Sequence, residues 1–501
     1  MSVYGEFFTK FMEPFFEGLL EIVKGIGRGL GQMFNVVNYV TVVNDYKSDL
    51  TGVGMVIMIL SIILLLALFA VIIFLIYRAV RTYVRYRRNV KKEDRLIEEI
   101  EVLNNEILKL KRQNAKIAEL TNENGEIEYD ENGKVKNELK EGESRFFKLS
   151  SVDAKFKEYT PEEIHNNFTL QELCDTFRNF SASKLGLYYD INLIRLFIAS
   201  FASNKLIILE GISGTGKTSL AYAFGEFTKN ETTVASVQPS WRDSTEIFGY
   251  FNEFTKKFNE TEILEKMYEA QYTDEVYITL LDEMNISRVE YYFAEMLSIL
   301  ELPNKKDWVV ELVPNVWPGD PEKLDEGKLK IPENMWYVGT INNDDSTFMI
   351  TDKVYDRAMP IAIDDKCEAF GAPDTEAVQI SYKYFEGLFD RAEKEHPVTD
   401  ETLEKVAQLD RYVIDHFRLA FGNRIVKQLR EFVPSFVACG GDEVAGIDYL
   451  IAHKILRKFE QLNLAYIKDE IDGLINYLEK LFGTGKTPEC KAYLLRLKKT
   501  I

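Results

Sequence analysis

Cysteine and histidine are scarce, with four of each in 501 residues. Cys174, Cys367, Cys439 and Cys490 are widely spaced and form no CxxC pair, which argues against a disulfide scaffold or a cysteine zinc site. His165, His396, His416 and His453 are equally isolated and read as core or surface side chains rather than as metal ligands or general bases. Positive charge is also in deficit: 61 Lys and Arg stand against 80 Asp and Glu, a formal net charge of −19. That balance makes nucleic acid an unexpected partner, because neutralising phosphates needs a basic surface, although a local basic pore stays open. Apolar content is not lacking. At 46% hydrophobic residues the chain has enough to bury two or three cores.

Charge is absent altogether from Thr51 to Tyr77, and Met55 to Leu75 is almost wholly aliphatic or aromatic. At about 1.5 Å per residue a helix of this length exceeds the roughly 30 Å hydrocarbon core, so residues 51–77 are expected to span a membrane. Arg78, Arg81, Arg85, Arg87, Arg88, Lys91, Lys92 and Arg95 follow at once, which by the positive-inside rule makes this flank cytoplasmic. The expected localisation is that of a single-pass membrane protein. No basic segment precedes the apolar run, so it does not resemble a cleavable signal. Within residues 1–50, Phe7, Phe8, Phe11, Met12, Phe15, Phe16, Leu19, Leu20 and Val23 recur at helical spacing, the pattern of an amphipathic helix in the interface or of a lumenal packing helix. Residues 78–120 continue into a heptad seam, Leu96, Ile100, Leu103, Ile107, Leu110, Asn114 and Ile117, whose residue choices favour a parallel dimer; a single stalk helix is the alternative. Residues 121–165 read as a polar linker, with a hairpin around Asn132-Gly133.

Chemistry begins at Gly211-Ile212-Ser213-Gly214-Thr215-Gly216-Lys217-Thr218, between the apolar run Lys205 to Glu210 and a helical pattern from Thr218 to Phe227. Glycines at these spacings let backbone amides turn inward at a helix N-terminus, where they cradle phosphate oxygens. The candidate nucleotide-binding residues are Gly211, Ser213, Gly214, Thr215, Gly216, Lys217, Thr218 and Ser219. Lys217 is expected to reach the β and γ phosphates, and Thr218 to ligate Mg2+. Val276 to Leu281 then delivers Asp282-Glu283 to the end of a second strand. Asp282 is expected to hold the magnesium through water, and Glu283 to orient the attacking water. Gly483-Thr484-Gly485-Lys486-Thr487 repeats five letters of the first motif, but Lys480 stands where its first glycine should be, no apolar strand precedes it and Pro488 follows. It reads as a decoy.

Five strands are expected, Leu206 to Leu209, Thr233 to Val237, Val276 to Leu281, Trp336 to Thr340 and Pro360 to Ile363, alternating with helices. That alternation predicts an α/β fold with a parallel sheet in residues 166–365, and residues 366–501 turn helical. Trp308 to Leu312 and Lys328 to Ile331 read as a hairpin.

With Asp282-Glu283-Met284-Asn285, a helical pattern from Val289 to Leu300 and Gly339-Thr340-Ile341-Asn342, the stretch from Phe168 to Leu462 resembles AAA+ ATPases, in their dynein-related and McrB-like branch. The resemblance implies a P-loop NTPase core with a helical lid, ATP as nucleotide and a homo-oligomer, a hexameric ring in that family. It implies that Asn342 is the sensor 1 residue; a strand-end turn asparagine is the alternative. Arg357, in Asp352-Lys353-Val354-Tyr355-Asp356-Arg357-Ala358, falls where such proteins carry an arginine finger, with a helix-surface arginine as the alternative. Arg424, in Phe421-Gly422-Asn423-Arg424-Ile425, falls at sensor 2 of the lid, with a plain salt bridge as the alternative. Asn342-Asn343-Asp344-Asp345-Ser346-Thr347 departs from the McrB pattern Asn-Thr-Ala-Asp-Arg-Ser, and the missing arginine weakens any inference of GTP preference. Gln238 to Phe251, with Trp241, Arg242, Tyr250 and Phe251, lies where this branch carries insertions near a central channel; aromatics gripping a substrate polypeptide and a packed local hairpin are the two readings. Two functions compete: an ATP-driven motor remodelling a protein at the cytoplasmic membrane face, and a nucleotide-gated scaffold or defence component recruiting an effector.

Overall fold

The computed structural model describes residues 142–160, 164–253, 255–342, 347–462 and 464–499, besides isolated earlier positions. The expected membrane span at 51–77, the amphipathic segment, the basic flank with its coiled coil and the hairpin around Asn132-Gly133 all lie outside the described residues. Among the described residues no helix is long and apolar enough to cross a membrane. The chain divides into residues 1–113 and 114–501, and the elements below belong to the second unit.

Helix α1 (Phe147–Phe156) falls inside the segment expected to be a polar linker and corrects that reading. Leu149, Val152 and Phe156 recur at helical spacing and are buried, and Phe146 just ahead of them stacks on Phe258. Four apolar contacts among many charges were too sparse a signal for a sequence window to register. Next come α2 (Leu170–Leu185), opened by a capping box between Thr169 and Glu172, and α3 (Ile191–Ser203).

The central sheet is parallel throughout, in the order β10-β1-β9-β5-β2: β10 (Ala358–Ala362), β1 (Leu206–Gly211), β9 (Met335–Asn342), β5 (Tyr277–Asp282) and β2 (Thr233–Ser236). All five expected strands are present, their ends shifted by at most a few residues. Every residue of β1 is buried, as a central strand covered on both faces requires. Ile207 and Leu209 enter a core with Phe177, Phe197, Phe224 and Phe227, whereas Leu206 and Ile208 enter a second one with Phe146, Tyr268 and Tyr292. Helix α4 (Lys217–Thr228) follows β1, and α5 (Glu262–Glu269) covers the second core. The helix expected from Val289 to Leu300 breaks at Phe293 into Val289–Tyr292 and Ala294–Ile299. Two hairpins stand off the sheet: β3 (Gly249–Asn252) with β4 (Lys257–Glu260), and β6 (Val309–Glu311) with β8 (Lys328–Lys330), the latter also pairing β7 (Leu324–Asp325). Trp241 packs edge-on against Tyr292 at 5.2 Å and is buried, which favours the packing role, while Tyr250 on β3 is exposed.

The helical region expected to hold the lid and a C-terminal extension comprises α6 (Tyr382–Glu395), α7 (Asp400–Phe417), α8 (Gly422–Ala438), α9 (Glu443–Leu450), α10 (Leu464–Phe482) and α11 (Pro488–Lys499). Its apolar faces share the core of α2, α3 and α4. The decoy Gly483 to Thr487 is the turn between α10 and α11, with no strand before it.

A π-helical turn, Ile451–Ile455, follows α9 and buries Lys454, whose Nζ donates to the Ala358 carbonyl at 2.8 Å and to Gln428 Oε1. Burial pushes this ammonium down from 10.5 to about 7. Between those values the unfolded chain holds a proton that the folded chain has released, so stability rises with pH across that interval. Desolvation also lowers Lys205, which is half-buried, and acts in the same direction. From Lys454 alone, thermal unfolding of the purified full-length chain is expected to gain roughly 1 kcal/mol of stability between pH 7 and 8, read as a rising Tm. In Lys454→Met most of that slope should vanish; an unchanged slope refutes the assignment.

Candidate nucleotide site

The phosphate loop grows from the buried end of β1. Gly211 has φ 142°, and a Cβ there would sit 2.3 Å from the Ile363 carbonyl oxygen, so neither the conformation nor the space admits a side chain. Gly214 and Gly216, at φ 79° and 96°, turn the chain into the start of α4. Lys217 is buried and its Nζ donates to the carbonyls of Gly211 at 3.1 Å and Ile212 at 2.7 Å, which keeps the ammonium at the loop's mouth. Thr215 closes the loop with a bond to Ile212 O at 3.0 Å, while Ser213 is exposed and Ser219 lies on the first turn of α4.

The other half comes from β5 and β9. Asp282 Oδ1 accepts from the hydroxyls of Thr218 and Thr340, each at 2.8 Å. Thr340 Oγ1 in turn accepts the Glu283 N–H at 2.8 Å. Glu283 adopts φ 53°, a left-handed conformation that costs a non-glycine residue on the order of 1 kcal/mol or more. The Met284 side chain that follows fills the space Gly339 leaves open: a Cβ there would lie 1.9 Å from Met284 Sδ. Glu283 is aimed so that its Oε1 accepts from Asn342 Nδ2 at 3.2 Å. Asn285 donates to Asn342 O at 3.0 Å and Thr347 Oγ1 at 2.9 Å, holding the end of β9 against the turn after β5.

Six expected residues therefore meet at the C-terminal ends of the inner strands: Gly211, Lys217, Thr218, Asp282, Glu283 and Asn342. Thr340 was missed as a functional residue. The sequence held a signal in Gly339-Thr340, a small residue and a hydroxyl shortly before Asn342, but the pairing across to Asp282 is visible only with β9 beside β5. The donor set suits Mg2+: a hydroxyl and a carboxylate oxygen within 2.8 Å of each other. Among the described residues no group of three or more His, Cys, Asp or Glu is placed to hold a metal.

Arg357 and Arg424 are placed elsewhere. Arg357 immediately precedes β10, whose Ala358 pairs with Leu206, the residue five positions upstream of Gly211. At about 3.3 Å per strand residue, Arg357, one residue further back, lies some 20 Å along the strands from its own phosphate loop, at their opposite end. There its Nε donates to Glu301 Oε2 at 2.5 Å, and the other oxygen of Glu301 pairs with Arg424. Arg424 is thus not brought to the phosphate loop of its own chain, the position a lid sensor acting in the same subunit requires. Arg457, which no motif had marked, does approach the loop, bound to Glu210 at 2.8 and 3.1 Å.

No family model matches the chain, and no curated protein matches it. Among solved structures, the full-length MCM homolog from Methanopyrus kandleri is similar at 11% identity and a TM-score of 0.32, over 64% of this chain and 63% of that one.

Proposed function

We propose that this chain is a membrane-anchored ATPase of the AAA+ type, which couples ATP hydrolysis to remodelling of a protein partner at the cytoplasmic membrane face. The observation that carries the catalytic part is the continuous hydrogen-bonded set Thr218, Asp282, Thr340, Glu283 and Asn342 at the mouth of a phosphate loop. The anchor and its orientation rest on the apolar run at 51–77 and the arginines after it.

The loop amides and Lys217 bind the phosphates of ATP, and the N-terminus of α4 adds its dipole to the same end. Thr218 and Asp282 would hold Mg2+, which would neutralise charge developing on the phosphates. Glu283 orients water for in-line attack on the γ phosphorus and accepts its proton; Asn342, already on Glu283, fixes the carboxylate and reports the γ phosphate. Arg357, too far from its own loop, completes the site of a neighbouring subunit, which makes an oligomer the active form. Arg424, sharing Glu301 with it, stands on the same donating edge.

The full-length chain in lipid vesicles should hydrolyse ATP in a Mg2+-dependent manner, with turnover per subunit rising with protein density as neighbours assemble. ATP turnover absent at every density refutes the reading. A basal rate unaffected by every added membrane protein would instead support the nucleotide-gated scaffold.

A further inference from the structure

We propose that Glu210 is a positioning residue that ties the phosphate loop of one subunit to the segment presenting Arg357 to the next. The inference rests on the reading of Arg357 as acting on a neighbour, and adds how that arginine is set.

Glu210 is the last β1 residue before Gly211, yet nothing in the hydrolysis scheme uses its carboxylate. It is buried, and three bonds fix it: from Tyr355 OH at 2.9 Å and from Arg457 Nη1 at 2.8 and 3.1 Å. The Arg457 guanidinium also lies 3.4 Å over the Tyr355 ring. Tyr355 ends the short helix Asp352–Tyr355, two residues before Arg357. The intervening backbone has little freedom. Asp356 O accepts from Gln428 at 3.1 Å, its carboxylate pairs with Lys458 at 2.8 Å, Arg357 O accepts from Asn204 at 2.9 Å, and Ala358 O accepts from Lys454 at 2.8 Å.

Tyr355 through Ala358 is therefore a stiff bar. One end is fastened to the residue beside the phosphate loop, and the other delivers Arg357 to Glu301 at the far end of the strands. Two cavities mark those ends: one of about 400 Å³ lined by Glu210, Gly211, Tyr355 and Arg457, and one of about 750 Å³ lined by Glu301, Arg357 and Arg424. A buried ion pair adds little stability over apolar packing of the same volume, but removing one partner strands the other charge, so the elements carrying it must move. Here those elements are the loop, the lid turn bearing Arg457 and the bar. A shift of Gly211 on binding phosphate is transmitted through Glu210 to Tyr355 and on to Arg357. Lid and loop of one subunit thereby set the arginine that its neighbour needs.

Mixed assemblies of the full-length chain in vesicles test this. A donor carrying Glu283→Gln cannot turn over ATP but keeps its arginine; an acceptor carrying Arg357→Ala keeps its hydrolytic set but donates nothing. Mixed, they should regain turnover that neither shows alone. Glu210→Gln added to the donor is expected to lower the regained kcat about tenfold with the KM for ATP unchanged, within the range of a coupling residue. The same change added to the acceptor should alter it by less than about twofold. Equal loss from either placement, or no loss from the donor, overturns the proposal, the first result meaning that Glu210 merely supports its own loop. Should Glu210→Gln fail to assemble, Tyr355→Phe, which removes one bond and keeps the ring under Arg457, is judged by the same two placements. If the parent mixture regains nothing, the neighbour reading of Arg357 fails and this inference with it.

Discussion

Glu283→Gln is expected to lower ATP turnover by two orders of magnitude or more while leaving ATP binding within about threefold, because positioned acid–base groups typically contribute 10²–10⁴-fold and little ground-state affinity. Glutamine is nearly isosteric and keeps the bond from Asn342 through its own carbonyl oxygen, so the left-handed turn at residue 283 and the Thr340 contact to its amide should survive. What is lost is the ability to take a proton from water. Steady-state turnover alongside equilibrium binding of a fluorescent ATP analogue separates the two effects. A variant that binds poorly would mean that the carboxylate organises the site for nucleotide; one that hydrolyses at the parental rate would remove Glu283 from the mechanism. Thr340→Val offers an internal contrast. It withdraws one of the two hydroxyls on Asp282 and the acceptor for the Glu283 N–H, and so disturbs the metal ligand and the turn together.

Much of this site was legible in the chain because its parts are local. A glycine loop between a strand and a helix, and an acidic pair ending another strand, each fit within about ten residues, and continuous apolar runs mark the strands that carry them. The sheet order adds what the letters lacked: β9 lies between β1 and β5, and this is why Thr340 and Asn342 reach Asp282 and Glu283. Features that depend on long-range pairing were not legible. Glu210 is contacted by Tyr355 and Arg457, from the segment before β10 and from the lid, and no spacing rule joins such positions. Arg424 shows the opposite failure. Its motif fits a lid sensor, yet the lid docks so that the side chain meets Glu301 beside Arg357, and docking is set by the shared apolar core rather than by the motif. Helix α1 was hidden in a polar stretch because its few apolar residues gain meaning only against β4 and α5.

Arg357→Ala carries the other large effect, an expected loss of about 10³-fold in kcat with little change in the KM for ATP, the signature of an arginine that offsets charge only as the phosphoryl group is transferred. The fold should tolerate the change. The side chain is a quarter exposed, and Glu301 keeps Arg424 as its partner, so the lost ion pair costs under about 1 kcal/mol and Tm should move by no more than a few degrees. Because Arg357 sits a strand's length from its own phosphate loop, the defect should be cured by a neighbour and not by nucleotide. Adding the Glu283→Gln chain, inactive alone but with its arginine intact, should restore turnover as a rising function of its share in the vesicles, whereas raising ATP should not. Arg424→Ala discriminates between the two arginines on Glu301: a loss as large as that of Arg357→Ala, cured by the same neighbour, makes both donors to one site, and a loss confined to stability leaves Arg424 as the counter-ion that holds Glu301. Parental turnover in Arg357→Ala would reassign the finger to Arg424, since no other motif arginine reaches that end of the strands among the described residues.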